Sequence, residues 1–554
     1  MLPLPKYHIQ FPFFCQLVRN GVIVCLCSLL HSSLFASTDA STILKEKIST
    51  IKNSASPSLA SEQILAKDLL VKFYENQGFR PAWMPNFRPI PKAKDFTNCI
   101  LDSEKNGLLP DDYHYRFIGT NMQSMVYANP FPKPETIIDL EILLTDAYLS
   151  LAKHYLQGKA DPETLGLDWN YPKRNFDLTY YLNQALKDQD ICFSLDLLLP
   201  IHPEYKQLQR ALVRYENKLW AFDPLPAQWN LLLQKGNFDP MVGEIRRRLR
   251  VAGDLNANSD LHDSFDAELE QAVRQFQERH GLHADGIVRS NTIVALNRSM
   301  GDKLKQIKAN LDRWRWLPDD FGNRYIRVNV ADYRLQLIDD GQIRYDENVV
   351  VGTRKYPTPS FGDQMEFLVL NPFWNIPQSI ARNEVIPTLQ DDPYYCINSD
   401  IKVMQGSKEV DASKINWQAA NPEKYMFRQG ANAFNPMGQV KFMFPNEHAI
   451  YIHDTPSKHL FNHSQRSYSH GCIRIQNPIN FAKYLLNNKP EWDDSKMEKV
   501  LFSQQETIVK LDRPLPIHIL YWTTFVDENG ELNFREDIYN WDNKVFEVVN
   551  TPLN

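Results

Sequence analysis

The sequence predicts a multidomain α+β protein. It reads as a helical scaffold, a compact three-helix module and a β-rich C-terminal domain interrupted by an inserted cap. Three observations carry that reading. The 554 residues exceed what a single hydrophobic core organises, so two to four domains are expected. Apolar residues recur at helical spacing from about Thr42 to Trp229, and again between Gly236 and Asn297. Beyond Arg313-Trp-Arg-Trp-Leu-Pro318 the period drops to two: Ile326, Val328 and Val330 alternate with polar neighbours, as on a half-buried strand.

Composition sets the outer limits. Hydrophobic residues make up 43% and charged residues 23%, the balance of an ordinary globular protein, and a net charge of −6 gives no reason to expect a nucleic-acid partner. At the N-terminus, Lys6 and Arg19 precede an apolar run from Gly21 to Leu30, and small residues follow at Ala36-Ser37-Thr38. That order predicts a secretory signal over 1–36, with Ala36 or Ala40 as cleavage points. The run falls short of the ~20 residues a spanning helix needs; left uncleaved, it would serve as a membrane anchor. Removing the signal removes Cys15, Cys25 and Cys27 and leaves Cys99, Cys192, Cys396 and Cys472. Four cysteines spread over so long a chain do not form a disulfide framework. If Cys472 is free, one of the other three is unpaired as well.

Each element has its own justification. The scaffold spans 41–235, with 298–318 completing it. Leu140, Leu143, Leu144, Ala147 and Leu151 mark one of its helices, and Gly107-Leu-Leu-Pro110 and Gly158-Lys-Ala-Asp-Pro162 mark turns. In the module, 236–297, one helical face is Met241, Ile245 and Leu249 and another is Leu269, Val273 and Phe276. Gly281 stands as a C-cap, and Asp285-Gly286 turns the chain into a short Thr292-to-Leu296 helix. The β-rich domain spans 319–545. Strands are expected at 325–330, 334–338, 348–352, 366–370, 440–444, 448–453 and 516–525, with a hairpin turn at Asp340-Gly341 and a helix at 478–486. The stretch 378–437, irregular and rich in proline and aromatic residues, interrupts the strands as a cap or lid.

The chemistry concentrates near Ser469-His470-Gly471-Cys472-Ile473-Arg474, where four histidines (His453, His459, His463 and His470) lie within twenty residues of one cysteine. A thiol attacks only as thiolate, so a nucleophilic cysteine needs a base or a positive field beside it. Glycine before the cysteine permits a tight bend, and amide N–H groups in such a turn can stabilise an oxyanion. The same residue types could bind zinc, although the spacings do not match those of structural zinc sites and no HExxH occurs. A third reading leaves them as buried structural residues.

His453, fifteen intervening residues, then Ser469-His470-Gly471-Cys472 and Arg474 resemble the signature of the L,D-transpeptidase (YkuD-type) catalytic domain. YIRVNVADYRLQL, VVVGTRKYPTPSF, NPFWNIPQSI and KFMFPNEHAIYIHDTPSKHLF extend the likeness. AVRQFQERHGLHADGIVRSNTIVALN is similar to a peptidoglycan-binding domain, and NGLLPDDYH and LQGKADPETL resemble the scaffold of the large Gram-negative branch.

The resemblance implies a cofactor-free, metal-free periplasmic enzyme acting on peptidoglycan tetrapeptide stems, anchored to the inner membrane if the signal is uncleaved. Cys472 would attack the meso-diaminopimelate carbonyl and expel D-alanine, with His453 as general acid–base and His470 in support. Gly471 and Cys472 N–H groups, with the Tyr451 hydroxyl, would face the oxyanion, and Arg474 and Ser469 would contact substrate. The acyl group would pass to a diaminopimelate amine (a 3→3 crosslink), to water (L,D-carboxypeptidase) or to a lysine of an outer-membrane lipoprotein. Carbapenems would acylate the thiol. A zinc-dependent wall peptidase and a non-catalytic peptidoglycan-binding protein stay open as alternatives.

Overall fold

The computed structural model describes residues 39–188, 190–217, 222–228, 230–432 and 434–553. The expected signal, 1–36, lies outside them. Among the described residues no helix is long and apolar enough to cross a membrane.

The N-terminal part is helical, as the periodicity predicts, and is organised around α1, Pro134–Gln157, which is buried along most of its length. Two carboxylates on this helix act as internal caps. Glu141 accepts the N–H groups of Ala82, Trp83 and Met84, and Asp146 accepts those of Leu65 and Ala66. Each buried carboxylate is thus compensated by donors that would otherwise be orphaned. Cys99 and Cys192 form a disulfide, and Cys396 and Cys472 are free.

Helix α2, Met300–Arg315, joins the two halves of the molecule. Its Arg315 is fully buried, pairs with Asp312 of the same helix (2.8 Å) and reaches the Tyr205 hydroxyl (3.0 Å) on the scaffold side. Its Arg313, equally buried, pairs with Asp542 at 2.5 Å on the other side. Scaffold residues Trp169–Asn170 also add a short strand beside Ser360–Phe361. One continuous apolar core therefore runs from Ala40 to Val549, whereas the 236–297 module packs around its own core of Val242, Ile245, Leu249, Leu269, Val273, Phe276 and Ile293. The sequence reading set the scaffold apart from the β-rich part. Periodicity shows that a face is apolar but not which element covers it.

The β-rich part is built from β1 (Arg324–Asn329), β2 (Arg334–Asp339), β3 (Gln342–Gly352), β4 (Ser360–Leu370), β5 (Val440–Met443), β6 (Ile452–His453), β7 (Ile473–Ile475) and β8 (Thr507–Leu520). They pair in the order β5-β6-β7-β3-β2-β1-β8-β4, and β4 pairs again with β5, so the sheet closes on itself. Closure leaves no free edge along that path. Helix α3, Pro478–Leu485, follows β7.

Four expected strands differ from the sequence reading, two of them, 348–352 and 366–370, by beginning six residues earlier, at Gln342 and Ser360. The 448–453 strand shrinks to Ile452–His453. Ala449 sits at φ +54°, and the Asn446 side chain ties together Phe444, the Ile450 N–H and the Ile450 carbonyl in a turn. The 516–525 strand begins earlier, at Thr507, and stops at Leu520; Thr524–Val526 pairs instead with Leu532–Phe534. The 378–437 insertion is not irregular. It forms helical turns and a four-stranded sheet that recruits Trp374–Ile376, and it has its own core of Val385, Leu389, Val403, Trp417 and Phe427. Its strands are too short, and its loops too polar, for a period-2 signal to show.

Candidate active site

Three short strands build the site. β5 runs antiparallel to β6, with Lys441 opposite His453, and β6 runs parallel to β7, with His453 opposite Arg474. Residues directly opposite one another share a face. Phe442, Ile452, Ile473 and Ile475 point into the core and are fully buried, so Lys441, His453 and Arg474 line up in a row on the other face. Tyr451 shares that face with His453, their rings 5.7 Å apart, and Cys472 precedes β7 on the Arg474 side.

His453 is buried (2% exposed), and its Nδ1 lies 2.5 Å from the Asp454 carbonyl oxygen, which fixes Nδ1 as the donor and leaves Nε2 as the basic nitrogen. Burial, then the positive charges of Arg474 and Lys441, hold the imidazole down at about 3, so it is neutral at physiological pH. The Asp454 carboxylate accepts the Gln439 and Thr455 N–H groups and pairs with Lys458 at 2.7 Å. It anchors the turn by which the cap rejoins β5. In that turn Gly438 has φ +57°, and a Cβ there would lie 2.3 Å from the Asp454 carboxyl group.

The Cys472 thiol is half-buried, with Sγ 3.8 Å from the Ala449 carbonyl oxygen. Burial pushes it above the usual thiol range, while hydrogen bonds from Tyr451 and the charges of Lys441 and Arg474 pull the other way. With the imidazole also neutral, the resting pair is thiol and imidazole rather than thiolate and imidazolium. Burial pushes the Tyr451 hydroxyl up as well, next to the charge Cys472 would carry, so it stays protonated and able to donate.

Gly471 has φ +110°, a conformation that side chains rarely adopt. Its N–H donates to Ser469 Oγ at 3.1 Å, and Ser469 Oγ–H donates to the Cys472 carbonyl at 2.5 Å. The expectation that the Gly471 N–H faces an oxyanion, and that Ser469 contacts substrate, meets a turn in which both groups are engaged with each other. Spacing shows that such a turn is tight, but not which donors it consumes. The Gly471 carbonyl accepts Thr358 Oγ1–H at 2.7 Å. Thr358 N–H donates to the Tyr539 hydroxyl at 2.9 Å, and that hydroxyl donates to the Gly352 carbonyl at 2.9 Å. This support, drawn from β3 and from the C-terminal segment, carries no signal near the cysteine in sequence.

The other histidines disperse. His470 is half-exposed and contacts Glu384 of the cap at 3.2 Å and the Tyr356 ring at 4.8 Å. His463 bonds the Tyr468 hydroxyl at 2.9 Å. Among the described residues no three His, Cys, Asp or Glu side chains converge as metal ligands would. Arg474 Nε is buried without a hydrogen-bond partner, and among the described residues no carboxylate pairs with its guanidinium. The sequence reading missed Lys441; its place in an alternating KFMF strand marks a face but no partner. A surface cavity of about 760 Å³, lined by His202, Trp314, Arg327 and Trp522, lies elsewhere, between scaffold and sheet.

Comparisons with known proteins agree with this architecture. Residues 323–499 match the family model of the L,D-transpeptidase catalytic domain, 238–296 that of a peptidoglycan binding domain, and 68–212 that of a scaffold domain. A curated protein of Haemophilus influenzae that carries the name L,D-transpeptidase is 32% identical over 243 residues, 44% of this chain and 49% of that protein. The chain thus spans about half the length of this curated relative. Two crystal structures titled L,D-transpeptidase also match. The one from Xylanimonas cellulosilytica shows 14% identity over 54% of this chain and all of that one, with a TM-score of 0.16. The one from Stackebrandtia nassauensis shows 12% identity over 53% and 97%, with a TM-score of 0.21. Likenesses that slight add nothing to the assignment.

Proposed function

We propose that the chain, whose residues 323–499 match the L,D-transpeptidase catalytic domain and 238–296 a peptidoglycan-binding domain, is an exported cysteine transpeptidase forming 3→3 crosslinks in peptidoglycan. One observation carries the reading. Inside the matched domain, a buried neutral imidazole with one ring nitrogen fixed shares a strand row with an unpaired guanidinium, and a free thiol directly precedes the guanidinium's strand.

The chemistry follows from the side chains. His453 Nε2 takes the thiol proton as Sγ attacks the carbonyl of the stem's third residue, meso-diaminopimelate. The C–N bond to D-alanine breaks, and His453 returns the proton to the leaving amine. The Tyr451 hydroxyl and the Cys472 N–H stabilise the oxyanion, a kind of contact worth on the order of 3 kcal/mol of barrier per donor. Arg474, with no protein carboxylate to neutralise it, binds a carboxylate of the stem through its fork. An acceptor amine then attacks the thioester carbonyl, the C–S bond breaks, and His453 carries the amine's proton to the departing Cys472 sulfur. The cap, whose Glu384 meets His470 beside the nucleophile, excludes water and favours transfer over hydrolysis. Periplasmic residence is supported by the N-terminal pattern and by the Cys99–Cys192 disulfide. Among the described residues the dispersed histidines form no converging ligand set that would favour the zinc reading.

The test combines mass spectrometry with muropeptide analysis of the purified protein. Meropenem should add to Cys472 and to nothing in Cys472→Ala, and tetrapeptide stems should yield 3→3 dimers. Tripeptides alone would mean an L,D-carboxypeptidase. Unchanged turnover by Cys472→Ala would overturn the thiol reading. Retention on peptidoglycan without turnover would mean a binding protein.

A further inference from the structure

Lys441 is a basic residue that the reaction above leaves without a task. It stands on β5 directly across from His453, on the face of the sheet turned away from the core. Its ammonium lies 3.7 Å from the centre of the Tyr451 ring, a close approach for a cation over an aromatic face. Tyr451 in turn acts on the Cys472 thiol, drawing it down against the effect of burial. Among the described residues no carboxylate forms an ion pair with Lys441; the acidic groups acting on it are Cys472 itself and then Glu506, the residue before β8. A partly buried ammonium without a carboxylate partner is costly to keep, which sets Lys441 apart from an ordinary surface lysine.

We propose that Lys441 is a positioning residue for the thiol: its ammonium fixes the Tyr451 ring and withdraws electron density from it, so that the phenolic hydroxyl donates more strongly to the Cys472 sulfur. A cation over the ring makes the phenol a stronger acid and hence a stronger donor, and a sulfur that accepts a stronger hydrogen bond holds negative charge more readily. The inference rests on Cys472 being the nucleophile. Three side chains act on the sulfur, Tyr451 from just before β6, Lys441 from β5 and Arg474 from β7. His453 feels both cations from between them. Arg474 acts on the sulfur through its charge, whereas Lys441 also has a ring to work through.

The experiment measures iodoacetamide alkylation of the full-length protein against pH, read by mass spectrometry on the Cys472 peptide so that buried Cys396 does not interfere. The thiolate displaces iodide, so the rate follows thiolate content. Removing the positive charge raises the thiol midpoint. Lys441→Met should shift it up by about one pH unit, about tenfold slower alkylation at pH 7. Lys441→Arg should stay within about twofold of wild type. Tyr451→Phe should slow alkylation to a similar degree, and Lys441→Met added to it should cost almost nothing more, because the two act in series. If Lys441→Met does not fold, Lys441→Gln carries the same test. A substituted, folded protein with the wild-type profile overturns the proposal, as does a double variant slowed by the full product of the single effects; a purely structural lysine would lower thermal stability and leave the midpoint in place. Muropeptide turnover by Cys472→Ala separates the two layers. If it persists, the nucleophile reading fails; if it vanishes while Lys441→Met keeps the wild-type midpoint, only the role of Lys441 fails.

Discussion

At the scale of the residue, the decisive quantity is where the protons rest. With His453 held at about 3 and the thiol pushed up by burial, both partners are uncharged near neutrality. The reactive state has one proton shared by the pair. It is present between those limits, lost as pH falls through about 3 when the imidazole gains a proton, and lost above the thiol's raised value. The kcat/KM for tetrapeptide stems should therefore be flat between about pH 5 and 8, with no step near 6.5; a histidine-like inflection there would refute a buried neutral base. Replacing His453 with Gln should cost about 10²–10⁴ in kcat/KM, measured by release of D-alanine. Arg474→Ala should raise KM by about tenfold or more and change kcat less, since the unpaired guanidinium serves binding. The thiol, the four nearby histidines and Arg474 were all legible in the sequence. Lys441, Thr358 and Tyr539 were not, because each reaches the site across a strand pairing or from a remote segment.

At the scale of the element, the turn between cap and β5 couples cap placement to the base. Gly438 approaches the Asp454 carboxyl group so closely that a methyl group has no room, and its left-handed backbone adds strain for any other residue. Gly438→Ala should destabilise the protein by about 1–3 kcal/mol and lower kcat as well, because the Asp454 carbonyl holds His453. Thermal melting and steady-state kinetics check the two effects; a loss of stability with unchanged kcat would uncouple them. Helices of the scaffold and module were readable because a 3.6 period persists over many residues. The cap was not, because its strands last only three to five residues and its core is assembled from scattered positions such as Val385, Trp417 and Phe427.

At the scale of the whole molecule, scaffold and β-rich part share one core, and Arg313–Asp542 is a buried ion pair across their junction. Arg313→Met leaves the Asp542 carboxylate buried without its partner and should cost about 3–5 kcal/mol. In calorimetry the transition of scaffold and sheet together should move down, while that of the 236–297 module, packed on its own core, stays in place; separate transitions for scaffold and sheet would contradict a shared core. By itself the sequence determined, outside the cap, which segments are helical and roughly which are extended, that a free Cys472 leaves a second cysteine unpaired, and that a thiol, an imidazole and a guanidinium stand at a spacing that resembles the L,D-transpeptidase signature. Those signals are local, written in periods of two and 3.6 and in short motifs. Only the tertiary structure decided that the scaffold completes the core of the sheet, that the Gly471 amide is engaged by Ser469, and that Lys441, His453 and Arg474 stand in one row. Strand register and core sharing join residues far apart in the chain, and no local pattern encodes them.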